Sequence, residues 1–226
     1  MSLPVNLGRR KAIVGLVFGA VAGRAAAAAP SATPGPEAPP ALSSDDAREV
    51  ARVVDYLQGL TSAQSRFVQT DARGAQSEGT FYLQRPGRAR FEYDPPSGLV
   101  IASDGRDVTV VDRRLKTKHV YPLSATPLAL FLARSIRLDR GVIVRQVIHE
   151  GGGVTVVAED AKGKARGQIA LTFSEAPLAL TGWAVKDARG GVVKVRLAAL
   201  THAAPHDPGF FELPNPRTTQ TPDAGG

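Results

Sequence analysis

The apolar positions of this chain change their period once, and the change divides it into a helix followed by a long run of strands. Ala47, Val50, Val53, Val54 and Leu57 recur with the 3.6-residue spacing that lines one helix face, behind a Ser43/Asp46 pair spaced like a capping box. One amphipathic helix therefore opens the folded unit. After Gly59 the period falls to two. Phe81 and Leu83 alternate with Tyr82 and Gln84, Phe91 and Tyr93 with Arg90 and Glu92, and Val193, Val195 and Leu197 with Lys194 and Arg196. Turn signals punctuate these runs at short intervals: Arg85-Pro86-Gly87, Pro95-Pro96-Ser97-Gly98, Asp104-Gly105, Gly151-Gly152-Gly153, Lys162-Gly163-Lys164 and Arg189-Gly190-Gly191. Strands joined by turns this tight are antiparallel neighbours. About ten or eleven fit between residues 61 and 202, more than an open sheet carries without curling toward a barrel. One segment breaks the alternation. Thr126 to Ala133 has an N-cap threonine, a proline at the first helical position and apolar side chains all round, so it predicts a short buried helix. The fold class is mainly β (α+β): a strongly curved antiparallel sheet with helices inside it or across its mouth.

Composition fits a folded protein. Of 226 residues 43% are apolar and 22% charged, which suits one large domain or a domain with tails. The absence of cysteine excludes disulfides, thiolate catalysis, cysteine-based zinc sites and lipid attachment through cysteine. The net charge of +7 would suggest nucleic acid or an anionic membrane as partner, but its distribution argues otherwise. Arg9-Arg10-Lys11, an apolar stretch from Ala12 to Ala22 and an alanine tract read as a signal peptide over residues 1–28, cleaved after Ala28. The apolar stretch is too short to span a membrane, and its paired arginines leave open the general secretory or the twin-arginine route. Removing four of the 28 basic residues leaves 24 against 21 acidic ones, a net +3. Residues 29–44 are a Pro/Ala-rich spacer, 45–217 the folded domain and 218–226 a polar tail.

Candidate chemistry is sparse. His202 and His206 have a metal-ligating spacing only if helical, which Pro205 and Pro208 forbid, while His119 and His149 read as ordinary strand histidines. Asp104, Asp107 and Asp112 lack the order and closing glutamate of a calcium loop. Gly151-Gly152-Gly153 runs into a strand rather than a phosphate-binding helix, and no GxSxG elbow occurs. No catalytic residue, metal ligand or cofactor site is expected. Arg85, Arg88 and Arg90 form a local basic cluster whose ordinary explanation is a solvated hairpin end, so nucleic acid is not expected as a partner.

The run Gly79 to Pro96, followed by Ser103-Asp104-Gly105, resembles the LolA family of periplasmic carriers of outer-membrane lipoproteins. So do Tyr121-Pro122-Leu123 with Thr126-Pro127-Leu128, and the ending Phe211-Glu212-Leu213-Pro214-Asn215-Pro216-Arg217. The resemblance spans the folded unit. It implies an incomplete antiparallel β-barrel with an N-terminal helix and a helical lid over an apolar cavity for acyl chains. It also implies a periplasmic monomer, not an enzyme, that takes lipidated lipoproteins from an ATP-driven inner-membrane release complex to an outer-membrane acceptor. Arg85-Pro86 matches the family's arginine-proline pair, whose arginine latches the lid by hydrogen-bonding its backbone carbonyls. Phe67, Phe81, Leu83, Phe91, Tyr93 and Trp183 would line the cavity, and Leu128, Leu130, Phe131 and Leu132 would form the lid. Gly87-Arg88-Ala89 departs from the bulky residues that some members carry there. By alternation alone, the aromatics could equally be plain core, with Arg85 in a surface ion pair. The competing readings are a periplasmic lipid-sensing regulator of the same curved-sheet architecture and a secreted lipid hydrolase.

Overall fold

The computed structural model describes residues 42–126, 128–136, 141–161, 167–187 and 190–214. The leader, the spacer up to residue 41, Pro127, the turn Lys162-Gly163-Lys164, Arg189, the last residues of the expected domain (215–217) and the tail at 218–226 lie outside these residues. Helix α1 (Ser44–Gly59) starts where its capping signal stands. Ser43 Oγ accepts from the Asp46 amide at 3.0 Å and donates to Asp46 Oδ2 at 2.8 Å, satisfying a donor that helix geometry leaves open. Its apolar face buries Val50, Val53 and Leu57. Arg52 Nη2 donates to the Glu175 carbonyl at 2.8 Å, and the Leu180 amide donates to Tyr56 Oη at 3.1 Å, fixing the helix against the sheet.

The strands are β1 (Ser62–Thr70), β2 (Gln76–Gln84), β3 (Arg88–Tyr93), β4 (Leu99–Asp104), β5 (Asp107–Asp112) and β6 (Thr117–Pro122), then β7 (Val142–Glu150), β8 (Gly153–Asp160), β9 (Gln168–Glu175), β10 (Leu178–Lys186), β11 (Val192–Leu197) and β12 (Thr201–His202). They form one antiparallel sheet ordered β6-β5-β4-β3-β2-β1-β11-β10-β9-β8-β7, with the two-residue β12 also on β1. That makes twelve strands where the turn spacing predicts ten or eleven. Each half is a meander of adjacent hairpins. The halves join where β1 meets β11, with Phe67 opposite Leu197 and Thr70 opposite Lys194. The sheet does not close: β6 and β7 are its two ends. Consecutive in the chain, they are linked through a 3-10 turn (Leu123–Ala125) and helix α2 (Leu128–Leu132).

Alternation sorts the side chains as the sequence pattern predicts. Phe81, Leu83, Phe91, Tyr93, Val108 and Val110 from one half face Val154, Val156, Ile169, Leu171 and Phe173 from the other in a single core that also takes in α1 and α2. A second, smaller cluster (Val100, Ala102, Val111 and Leu213) lies on the opposite face under the C-terminal segment. Gly79 shows how tight the main core is. A Cβ there would meet the Glu92 carbonyl oxygen and lie 2.7 Å from a ring carbon of Phe67. Gly79→Ala is therefore expected to destabilise the fold by about 1–3 kcal/mol, the usual cost of overpacking, as measured by urea denaturation at unchanged m-value.

The second helix, α2, spans Leu128–Leu132 within the segment Thr126 to Ala133 expected to hold it; Pro127, expected at its first position, lies outside the described residues. Thr126 follows the 3-10 turn; its hydroxyl donates to the Leu123 carbonyl at 2.8 Å, and its carbonyl accepts from the Ala129 amide at 3.1 Å. A threonine hydroxyl serves the nearest free backbone group, and here the tight preceding turn supplies one.

Candidate functional site

The β2–β3 turn brings the sheet to both helices. Arg85 lies just beyond β2, where its guanidinium leaves the core face near the last turn of α1 and the end of α2. Nη1 donates to the Leu57 carbonyl and Nη2 to the Ala133 carbonyl, the latter at 2.7 Å. The last turn of α1 has no basic residue of its own, and helix C-termini leave carbonyls and partial negative charge to be satisfied. Arg85 supplies that cation from a distant strand. Half-buried, its guanidinium is pushed below its ordinary pKa by desolvation, yet an arginine keeps its proton at neutral pH. Arg85 Nε is buried without a partner among the described residues.

Gly87 adds a third tie. Its amide donates to the Leu132 carbonyl at 2.8 Å, and the Gly87 carbonyl accepts from Ser103 Oγ at 2.7 Å. Its φ of +79° and its approach to Gly105, whose Cα would lie 2.6 Å from an added Cβ, both require glycine.

Beneath these ties lies an aromatic interior. Phe67 meets Phe91 and Tyr93 edge-on at 5.6 and 5.1 Å, Phe81 packs on Phe91 at 4.8 Å, and Trp183 stands 5.4 Å from Phe81. From α2, Phe131 stacks on Trp183 at 6.2 Å and 28°. All six residues expected to line a cavity (Phe67, Phe81, Leu83, Phe91, Tyr93 and Trp183) are buried in this one cluster with Phe131 and Leu132. Leu128 and Leu130 pack against it and are partly exposed. In this closed arrangement the helices fill the concave side. A void of about 20 Å³ remains between Leu57, Leu130, Phe131, Ile136 and Leu171, close to the least that holds a water. A wider open groove of about 740 Å³ runs beside Arg66, Lys194 and Arg196 on β1 and β11.

Tyr93 carries the interior's polar handle, donating from its hydroxyl to Gln69 Oε1 at 2.7 Å. Burial pushes its phenol pKa above the ordinary value of 10.0. A group whose folded pKa is raised contributes stability that is present below the unfolded value and lost as pH climbs past it. Stability is therefore expected to fall progressively above about pH 10, and Tyr93→Phe to flatten that decline, as followed by urea unfolding at stepped alkaline pH.

Other basic and histidine residues are placed differently. Arg90, expected at a solvated hairpin end, is 8% exposed. It donates from Nη2 to Glu92 at 2.6 Å and from Nη1 to the Phe210 carbonyl, with its guanidinium 4.5 Å over the Phe210 ring. Alternation puts it on the outer face, where the C-terminal segment covers it. No local signal announces that cover. His206 stacks on Phe210 at 4.3 Å in the same patch, while His119 and His202 are exposed. His149, also exposed, lies 3.3 Å from Glu175. No group of three or more metal-ligating side chains occurs among the described residues. The carbonyl of Leu57 is the other partner that sequence reasoning misses. The lack of a basic residue in the last turn of α1 is the signal that points to it.

The family model "Outer membrane lipoprotein carrier protein LolA" matches residues 58–214. The outer-membrane lipoprotein carrier protein of Alkalilimnicola ehrlichii is 28% identical over 185 residues, covering 78% of this chain and 84% of that protein. That of Methylococcus capsulatus is 26% identical over 176 residues, covering 74% and 83%. Among solved structures, a LolA superfamily protein from Nitrosomonas europaea aligns over 72% of this chain and 97% of its own, with 12% identity and a TM-score of 0.42.

Proposed function

This chain belongs to the LolA family of outer membrane lipoprotein carriers, and from that premise we propose that it shields the acyl chains of lipoproteins in the concave side of its sheet during transfer between membranes. The observation that carries the reading is Arg85, which holds both helices over an aromatic interior. An interior meant only as permanent core has no need of a polar tie at its rim. An interior that must open is best closed by bonds that can be exchanged for water.

The energetics call for such a device. At about 0.8 kcal/mol per buried methylene, sequestering a sixteen-carbon chain gains on the order of 12 kcal/mol, too much for timely release. Phe131 and Leu132, with Leu128 and Leu130, act as an internal ligand that refills the interior when cargo leaves. Net affinity then becomes a difference between two occupancies. In this reading Arg85 is the latch of the refilled state. The leader at residues 1–28, which lies outside the described residues, directs the chain to the periplasm. There it meets an ATP-driven release complex on one side and an outer-membrane acceptor on the other.

The test is to purify the protein from the periplasm, identify copurified ligands by mass spectrometry and assay release of lipoproteins from spheroplasts. Bound triacylated lipoprotein together with release activity is the expected result. Free lipid without release would make the protein a lipid sensor, and turnover of an acyl ester would make it a hydrolase.

A further inference from the structure

The two ends of the sheet are built differently. β7 carries a bulge between Val144 and Gln146, pairs Arg145 with Glu159 and finishes in His149 and Glu150. Bulges and charges of this kind blunt an edge against further pairing. β6 has no bulge; its one lysine is Lys118, and its proline, Pro122, stands at its last position. Its six residues pair one for one with β5. The Leu123 amide donates to the Arg106 carbonyl at 2.9 Å, which in this antiparallel register puts residues 117, 119 and 121 in hydrogen-bonded pairs and turns the backbone of Lys118 and Val120 outward. Among the described residues no strand pairs with that edge.

Two outward positions of β6, Lys118 and Val120, leave room beside that edge. Lys118, which would ordinarily ward off another strand, is tied through Nζ to the Leu213 carbonyl at 2.7 Å. Val120 and Leu115 are the large apolar side chains left exposed among the described residues, at 52% and 57%. Free backbone groups beside exposed apolar side chains are what an added strand uses.

The position of the edge selects the occupant. β6 runs directly into the 3-10 turn and α2, so it borders the opening between the sheet's two ends. In the carrier reading, on which this inference rests, acyl chains lie beneath α2, and the polypeptide they are attached to must leave through that opening. Of the two edges there, β6 is the regular one, without a bulge. We propose that β6 binds the extended peptide stem of an acylated cargo as an added strand. The stem's backbone bonds to Lys118 and Val120, and an apolar stem side chain lies beside Val120. Backbone pairing is nearly indifferent to sequence, which suits a carrier of many cargoes.

The experiment compares the full chain's affinity for two probes: a triacylated lipopeptide with a stem of about five residues, and the same acyl group on a single amino acid. Two or three added backbone hydrogen bonds predict that the stem tightens binding by about tenfold. Val120→Pro removes the outward donor without breaking the β5 ladder, so it should abolish the stem's advantage and leave the single-residue probe's affinity unchanged. N-methylating alternate stem residues should do the same against the unaltered protein, which keeps the test valid if the proline variant fails to fold. Equal affinity for both probes overturns the proposal while leaving the carrier reading intact. Binding of neither probe defeats the carrier reading itself. A dimer that Val120→Pro converts to monomer, with no stem advantage, would assign the edge to a second copy of the chain and also overturn the proposal.

Discussion

Arg85→Leu is expected to load acylated cargo but deliver it to an acceptor at least about tenfold more slowly than the unaltered chain. The leucine keeps roughly the apolar part of the side chain and deletes both bonds, to the Leu57 and Ala133 carbonyls. Hydrogen bonds to a charged group each contribute about 1.5–3 kcal/mol, so losing two costs the closed state about 3 kcal/mol or more, a shift on the order of 100-fold. In the proposed cycle the closed state displaces the acyl chains, which puts the penalty on delivery rather than loading. The Gly87 to Leu132 bond remains, so the fold itself should persist. Lysine, a single charge without a planar fork, cannot reach both carbonyls and should fall between the two. Transfer from purified carrier to an acceptor, followed in time, measures the effect, and delivery at the unaltered rate would remove Arg85 from the latch.

Phe131→Ala should move two observables in opposite directions. Phe131 is 5% exposed and stacks on Trp183, so its truncation opens a cavity worth about 3–5 kcal/mol in a core that cannot collapse around it. The empty protein becomes less stable. If Phe131 competes with acyl chains for the interior, the same truncation removes the competitor and acyl binding tightens, up to about 100-fold for a 3 kcal/mol loss. Added acyl ligand should then raise the variant's melting temperature more than the parent's. Trp183, the chain's one tryptophan, reports filling directly through its emission. A variant that is both less stable and a weaker binder would make Phe131 part of the cavity wall.

The period change at Gly59, the capping pair Ser43/Asp46 and the recurrent turns carry most of the architecture, because each is a local signal read from a few adjacent residues. Alternation by itself also gathers Phe67, Phe81, Phe91 and Tyr93 on one face, though it does not say whether that face is filled by core or by a movable lid. What stays hidden depends on contacts between distant segments. Arg90 shares its strand with Phe91 and reads as solvent-facing, but its fate is decided by Phe210, 120 residues away. Leu57 belongs to the opening helix, whose last turn lacks a basic residue, but that local signal does not say that the cation comes from an arginine 28 residues on. Thr126 reads as a cap in sequence, and the bond that its hydroxyl donates back to Leu123 depends on a 3-10 turn that the local pattern does not announce.

The seam between β1 and β11 bears on how such a chain reaches its folded state. Every other long pairing in the sheet joins strands adjacent in sequence, whereas Phe67 must find Leu197 across 130 residues. Loop closure over that distance costs entropy before the contact offsets it, so the two meanders form early and their union is the slow event. A chain emerging N-terminus first presents β1 with one side paired to β2 and the other bare until β11 arrives. Through that interval the aromatic side chains of β2 and β3 lie on an uncovered half-sheet, the kind of transiently exposed apolar surface that makes a partly folded chain prone to aggregate.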